Sequence, residues 1–78
     1  MTETVIDASV LVAALGIDSA HGQAIRNDLR YRQLVAPFLI DLEVISVLRR
    51  LSSSGQLSTE RAGAAITDLQ AMPIRRVS

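Results

Sequence analysis

Cysteine is absent from this 78-residue sequence. That excludes a disulfide framework and a thiolate metal site. Histidine occurs once, at His21, so a zinc site would have to take carboxylates for most of its ligands, which zinc does not favour. The metals left open are hard cations held by oxygen, Mg²⁺ or Mn²⁺. Lysine is absent too, and all 8 basic residues are arginine. Arginine suits phosphate because its fork binds two oxygens at once, although a GC-rich coding sequence gives the same bias. The 8 basic and 8 acidic residues cancel to a formal net charge of zero, so no charge excess announces a nucleic-acid partner. The longest fully apolar run, Val10 to Leu15, falls far short of a membrane span. The N-terminus carries Glu3 and no basic region of the kind that opens a signal peptide. A cytoplasmic location and no membrane partner are therefore expected. No internal repeat is visible, and no Gly-rich phosphate loop follows the first β-branched run.

What is present fits one small globular domain with a marginal core, and 49% hydrophobic residues argue against disorder. The organising stretch is Thr4-Val5-Ile6-Asp7-Ala8-Ser9, followed by the apolar run to Leu15. Thr, Val and Ile favour an extended strand, and the Ala and Leu residues beyond favour a helix. The switch falls at Asp7. In open parallel α/β sheets the chemistry sits beyond the carboxyl ends of the strands, where a carboxylate is placed to hold a cation. Asp7 is equally well placed to cap the helix that follows.

Helical patterns run from Ala20 to about Arg32, with Ala20, Ala24, Ile25, Leu29 and Tyr31 as the apolar side, and Asp18 or Ser19 as cap. Gly16 is suited to ending the first helix in a left-handed conformation. A third helix runs from Phe38 to about Leu51 and a fourth from Thr59 to about Gln70, capped by Ser58. Pro37 is read as the opening of the third helix, where its missing N–H costs nothing. That helix is apolar around most of its circumference, which predicts burial on more than one side. At about 100° per residue, Glu43, Ser46 and Arg50 form a narrow polar stripe, and Asp41 lies elsewhere. Glu43 is then either a working carboxylate or the partner of Arg50. Strands are expected near residues 4–7, 33–36 and 74–77, giving the order β-α-α-β-α-α-β and a parallel sheet.

In that order the chain resembles the N-terminal part of a PIN-domain ribonuclease, and within that family the VapC-type toxins of bacterial toxin–antitoxin pairs. The resembling residues are Val5-Ile6-Asp7-Ala8-Ser9, His21-Gly22-Gln23-Ala24, Ala36-Pro37, Leu42-Glu43-Val44, Val47-Leu48-Arg49-Arg50 and Gly55-Gln56-Leu57-Ser58, followed by Ala62, Leu69 and Pro73. The resemblance implies that residues 1–78 are the N-terminal part of a single PIN-like domain. Its fold would be three-layered and Rossmann-like, a parallel sheet with helices on both faces, cut off after the third strand. The implied function is a Mg²⁺- or Mn²⁺-dependent endoribonuclease toxin. Asp7 and Glu43 are then the catalytic and metal-holding acids, and Ser9 stands behind them in contact with the site. The implied partners are an RNA substrate, a cognate antitoxin protein and a second copy of the chain. Arg26, Arg30 and Arg50 are the arginines available to RNA phosphate.

The family is similar in using four acids around its metal, the last two from the part of the domain after the third strand. Asp18, Asp28, Glu60 and Asp68 do not match those positions. The chain alone is therefore expected to be a weak or inactive nuclease, and a non-catalytic module that binds an antitoxin or itself is the alternative. Two carboxylates sharing a site repel, so one of Asp7 and Glu43 is expected to titrate high in the absence of a cation.

Overall fold

The computed structural model describes residues 3–16 and 20–78. The expected caps Asp18 and Ser19 lie outside the described residues. The elements follow the expected order: β1 (Glu3–Val5), α1 (Ala8–Gly16), α2 (Ala20–Leu29), β2 (Gln33–Pro37), α3 (Ile40–Ser53), α4 (Thr59–Ala71) and β3 (Ile74–Val77). The three strands form one parallel sheet in the order β1-β2-β3. Val5 lies opposite Val35, and Leu34 lies opposite Ile74. The α/β class and the parallel sheet are as the sequence predicts.

The layering differs from the expected helices on both faces. Each crossover moves one strand further in the same direction across the sheet. Right-handed crossovers then put both helical pairs on the same side, and α1 accordingly packs against α2, α3 and α4. The core lies between this helix layer and one face of the sheet. It joins Ile6, Leu34, Ala36 and Ile74 of the sheet side to Leu11, Ile40, Val44, Leu48 and Leu69 of the helices. Successive strand side chains point to opposite faces. The second face therefore carries Glu3, Val5, Gln33, Val35, Pro37, Arg75 and Val77, of which only Val35 is buried. Above Val35 the Arg75 guanidinium and the Glu3 carboxylate pair across the sheet at 2.7 Å. With both partners more than half exposed, that pair contributes about 0–1 kcal/mol.

Three local expectations are corrected. Pro37 is the last residue of β2 rather than the first of α3, and the helix begins at Ile40 after the N-cap Leu39. A parallel partner holds the chain extended that far, because Pro37 lies opposite Val77 and the Phe38 N–H donates to the Val77 carbonyl at 2.6 Å. Gly16 does not adopt a left-handed conformation. It is buried, and a Cβ there would lie 3.1 Å from Leu48 Cδ2, so its role is close helix packing. Gly55 is the glycine that needs its freedom, with φ of 81° in the turn after α3. Finally, α2 stops at Leu29, and Tyr31 is 75% exposed in the turn into β2.

Helix α3 is buried along a single stripe, Ile40, Val44 and Leu48. Phe38 and Leu39, just before the helix, and Leu42 in its first turn face outward, at 66%, 54% and 62% exposed. The helix is therefore not buried on several sides, because no described element covers the flank that carries Leu42. Substituting Leu48, which is fully buried, by Ala is expected to cost about 2–5 kcal/mol in urea unfolding. Leu42→Ala should cost less than about 0.5 kcal/mol, since the side chain is already in water.

Candidate functional site

The site is built where β1 and β2 hand over to helices. The Asp7 carbonyl accepts the first bond of α1, from the Leu11 N–H at 3.4 Å, which makes Asp7 the N-cap. Its Oδ1 accepts from the Val10 N–H at 3.1 Å and from the Ser9 hydroxyl at 2.7 Å. Among the described residues no donor reaches Oδ2. The cap arrangement thus occupies one oxygen and leaves the other open to solvent. Asp7, Ser9 and Glu43 are all exposed. Asp7 titrates below its usual range, first because of the Ser9 hydroxyl bond and then because of the Val10 N–H. Asp7 is therefore not the carboxyl that charge repulsion was expected to push up.

Glu43 lies in the first turn of α3. Among the described residues neither Arg50 nor any other cation pairs with it. Asp41 is placed differently. The Arg76 guanidinium grips its carboxylate with two bonds, Nε to Oδ2 at 2.8 Å and Nη2 to Oδ1 at 2.7 Å. Arg76 also donates from Nη1 to the Ile74 carbonyl at 2.9 Å. This fork holds the Asp41 carboxyl below the usual carboxylate range and raises Arg76 further. Arg76 was missed in the sequence. Its signal is its register, two residues from the buried Ile74 and so on the same inward face of β3, where a cation needs a carboxylate partner.

About 200° of helix separates Asp41 from Glu43, so the two acids flank the buried stripe of Ile40, Val44 and Leu48 on opposite sides. Asp41 is on the side of β3. Arg26 and Arg30 line a cleft with Leu34 and Pro73, at the amino-terminal end of the strands and away from Asp7. Among the described residues no group of three or more His, Cys, Asp or Glu is clustered as a metal cage. No helix of the described residues is long and apolar enough to cross a membrane.

No family model matches the chain. It is 34% identical over 74 residues to ribonuclease VapC3 of Mycobacterium tuberculosis. It is 39% identical over 69 residues to ribonuclease VapC1 of the same organism. This chain is a homologue of VapC ribonucleases. The two alignments take in 95% and 88% of it but only 54% and 52% of those proteins, so the chain spans about half the length of the curated relatives it matches.

In this VapC homologue the donor set agrees in kind with an oxygen-preferring dication, since the open Oδ2 of Asp7 and the unpaired carboxylate of Glu43 are both hard ligands. In number it falls short of a complete protein cage. The Asp41–Arg76 pair generates a prediction with a definite sign. A carboxyl whose folded pKa is lowered contributes stability that is present above the unfolded pKa, about 3.9, and is lost as pH falls through the folded value. Wild type should therefore exceed Asp41→Asn in stability at neutral pH, and the gap should close as acid unfolding is followed below about pH 4. A gap independent of pH down to pH 2 would mean that Asp41 acts by packing and not by charge.

Proposed function

We propose that this chain is part of a metal-dependent endoribonuclease of the VapC type, the toxin of a type II toxin–antitoxin pair, and that it hydrolyses RNA phosphodiesters in the cytoplasm. Asp7 and Glu43 would hold Mg²⁺ or Mn²⁺. The carrying observation is the division of labour in the first turn of α3. Arg76 neutralises Asp41 on the β3 side. Glu43, about 200° round the helix across the buried stripe, is left without a cation partner among the described residues. Homology to two ribonucleases supports the same reading.

When bound, such a cation lowers the pKa of water and offsets charge on phosphoryl oxygens. The chain's own residues prepare for it. Ser9 and the Val10 N–H fix Oδ1 of Asp7, so the rotamer that presents Oδ2 is set in advance. They also keep Asp7 ionised, which a hard cation requires. Glu43 would accept a proton from the attacking water. The resemblance implies two further acids that this chain does not match, so metal affinity and positioning are incomplete here and the 78-residue protein alone is a weak nuclease or none. A second reading, a non-catalytic module that binds an antitoxin or another copy of itself, is favoured by one observation: Val5, Phe38 and Leu42 are 76%, 66% and 62% exposed.

Mn²⁺ binding, followed by the electron paramagnetic resonance signal of the free ion, tests the site without relying on turnover. Asp7→Asn keeps a capping side chain, so the fold should survive. Asp7→Asn and Glu43→Gln should each weaken binding by about tenfold or more, the scale on which even outer-shell partners act, while Asp41→Asn should leave it unchanged. Equal binding by wild type and both site variants rejects the Asp7–Glu43 site. Vigorous Mn²⁺-dependent RNA cleavage by the 78-residue monomer, lost in Asp7→Asn, would show that two acids suffice.

A further inference from the structure

We propose that the groove between α3 and α4 binds a phosphate group carried on a small organic molecule. Its polar lining is Arg49, Ser52 and Ser53 from the last turns of α3 and Thr59 from the first turn of α4. Glu43 and Ser52 are separated by about 14 Å of helix. The groove is thus apart from the candidate metal site, and the inference does not rest on the nuclease reading.

Every polar side chain that lines the groove can donate a hydrogen bond, and no Asp or Glu lines it. Arg49 is exposed and has no carboxylate partner among the described residues. The hydroxyls of Ser52, Ser53 and Thr59 make no hydrogen bond to a described residue. Serine and threonine in or beside a helix often bond back to a carbonyl of the preceding turn. Ser54 donates in this way to the Leu51 carbonyl, and Thr67 to the Gly63 carbonyl, both at 3.1 Å. The three hydroxyls of the groove do not, so their donors are open to a ligand. Four donors with no acid among them call for an anion. They come from two helices, and a tetrahedral phosphate offers oxygens in more directions than a planar carboxylate. The Arg49 fork can take two of those oxygens, which leaves the others to the hydroxyls. The volume, about 370 Å³, is larger than a bare phosphate fills and lies at the lower end of the range for ligand pockets. Gly63 and Ile66 of α4 supply an apolar wall. A Cβ on Gly63 would meet nothing within 4 Å, so that wall is open to a ring attached to the phosphate.

The test is titration of ¹⁵N-labelled 78-residue protein in EDTA, at fixed pH and ionic strength, with inorganic phosphate, uridine monophosphate or acetate. Phosphate and uridine monophosphate should shift the amide signals of Ser53, Thr59 and Gly63, the nucleotide at lower concentration, and acetate should not. Arg49→Gln, at an exposed side chain with no partner to lose, should weaken nucleotide binding by about tenfold or more. Arg50→Gln, which removes the same charge one residue away, should leave it unchanged. Gly63→Leu fills the open wall and replaces a poor helix former, so it should weaken binding with an unchanged circular dichroism spectrum. The proposal is overturned if neither phosphate compound shifts these signals, if acetate shifts them equally, if Arg49→Gln binds as wild type does, or if Arg50→Gln loses as much as Arg49→Gln. Binding of the nucleotide no tighter than free phosphate would also overturn it, since the groove would then hold the inorganic ion alone.

Discussion

Two guanidinium groups meet the end of α1, and the helix layer depends on that junction. Arg26 of α2 donates to the Ala14 carbonyl, and Arg61 of α4 donates to the Leu15 carbonyl at 2.8 Å. The last four carbonyls of a helix have no partner within it, and here they end in a buried turn closed by Gly16. A hydrogen bond to a charged group contributes about 1.5–3 kcal/mol net, and a cation at a helix C-terminus is favoured by the dipole as well. The two bonds tie α1 to one helix from each crossover. Arg61 reaches so far inward that its Nε is buried with no hydrogen-bond partner among the described residues, a desolvation cost accepted for the contact. The other end of the same helix is capped by Asp7. The arginines that fix α1 therefore also fix the direction in which the Asp7 carboxylate points, which links the packing of the core to the placement of the candidate site.

Local sequence patterns revealed much of this fold, because the elements are short and cleanly punctuated. The β-branched run before Asp7 and the Ser58 cap of α4 carry their structure within a few residues, and the three strands and four helices of the described residues follow the expected order. What was missed is long-range. Arg76 and Asp41 are 35 residues apart, and Arg61 and Leu15 are 46 apart. No window of sequence joins them. Pro37 was misread for a related reason. Its local preference for a helix start gave way to pairing with Val77, a partner reached only after two helices. The layering was misread because a three-strand sheet grown in one direction exposes one face, whatever a larger fold would place there.

Asp7 shows how a capping role leaves room for a second role at the same residue. The capping and the cation-binding readings competed as long as the carboxylate was treated as a single acceptor. In the structure the cap takes Oδ1, bonded to Ser9 and Val10, and no hydrogen bond from the described residues occupies Oδ2. The arrangement has an electrostatic cost. The N-terminus of α1 carries partial positive charge, which stabilises the Asp7 anion but repels a dication brought to it. A second carboxylate would offset that repulsion, and Glu43 is the acid that the first turn of α3 leaves unpaired among the described residues.

The pairing of Asp41 with Arg76 completes this logic. Helix α3 opens with two acids in its first turn and no side-chain cap at Leu39. Both acids are favoured there by the dipole, yet they serve different ends because the sheet offers a cation on one side only. Arg76 comes from β3, which lies on the far side of β2 from β1, and neutralises the acid that faces it. The bond fastens the uncapped start of α3 to the strand and so sets the helix rotation that carries Glu43. Strand order thus decides which of two neighbouring acids is structural and which keeps a free charge.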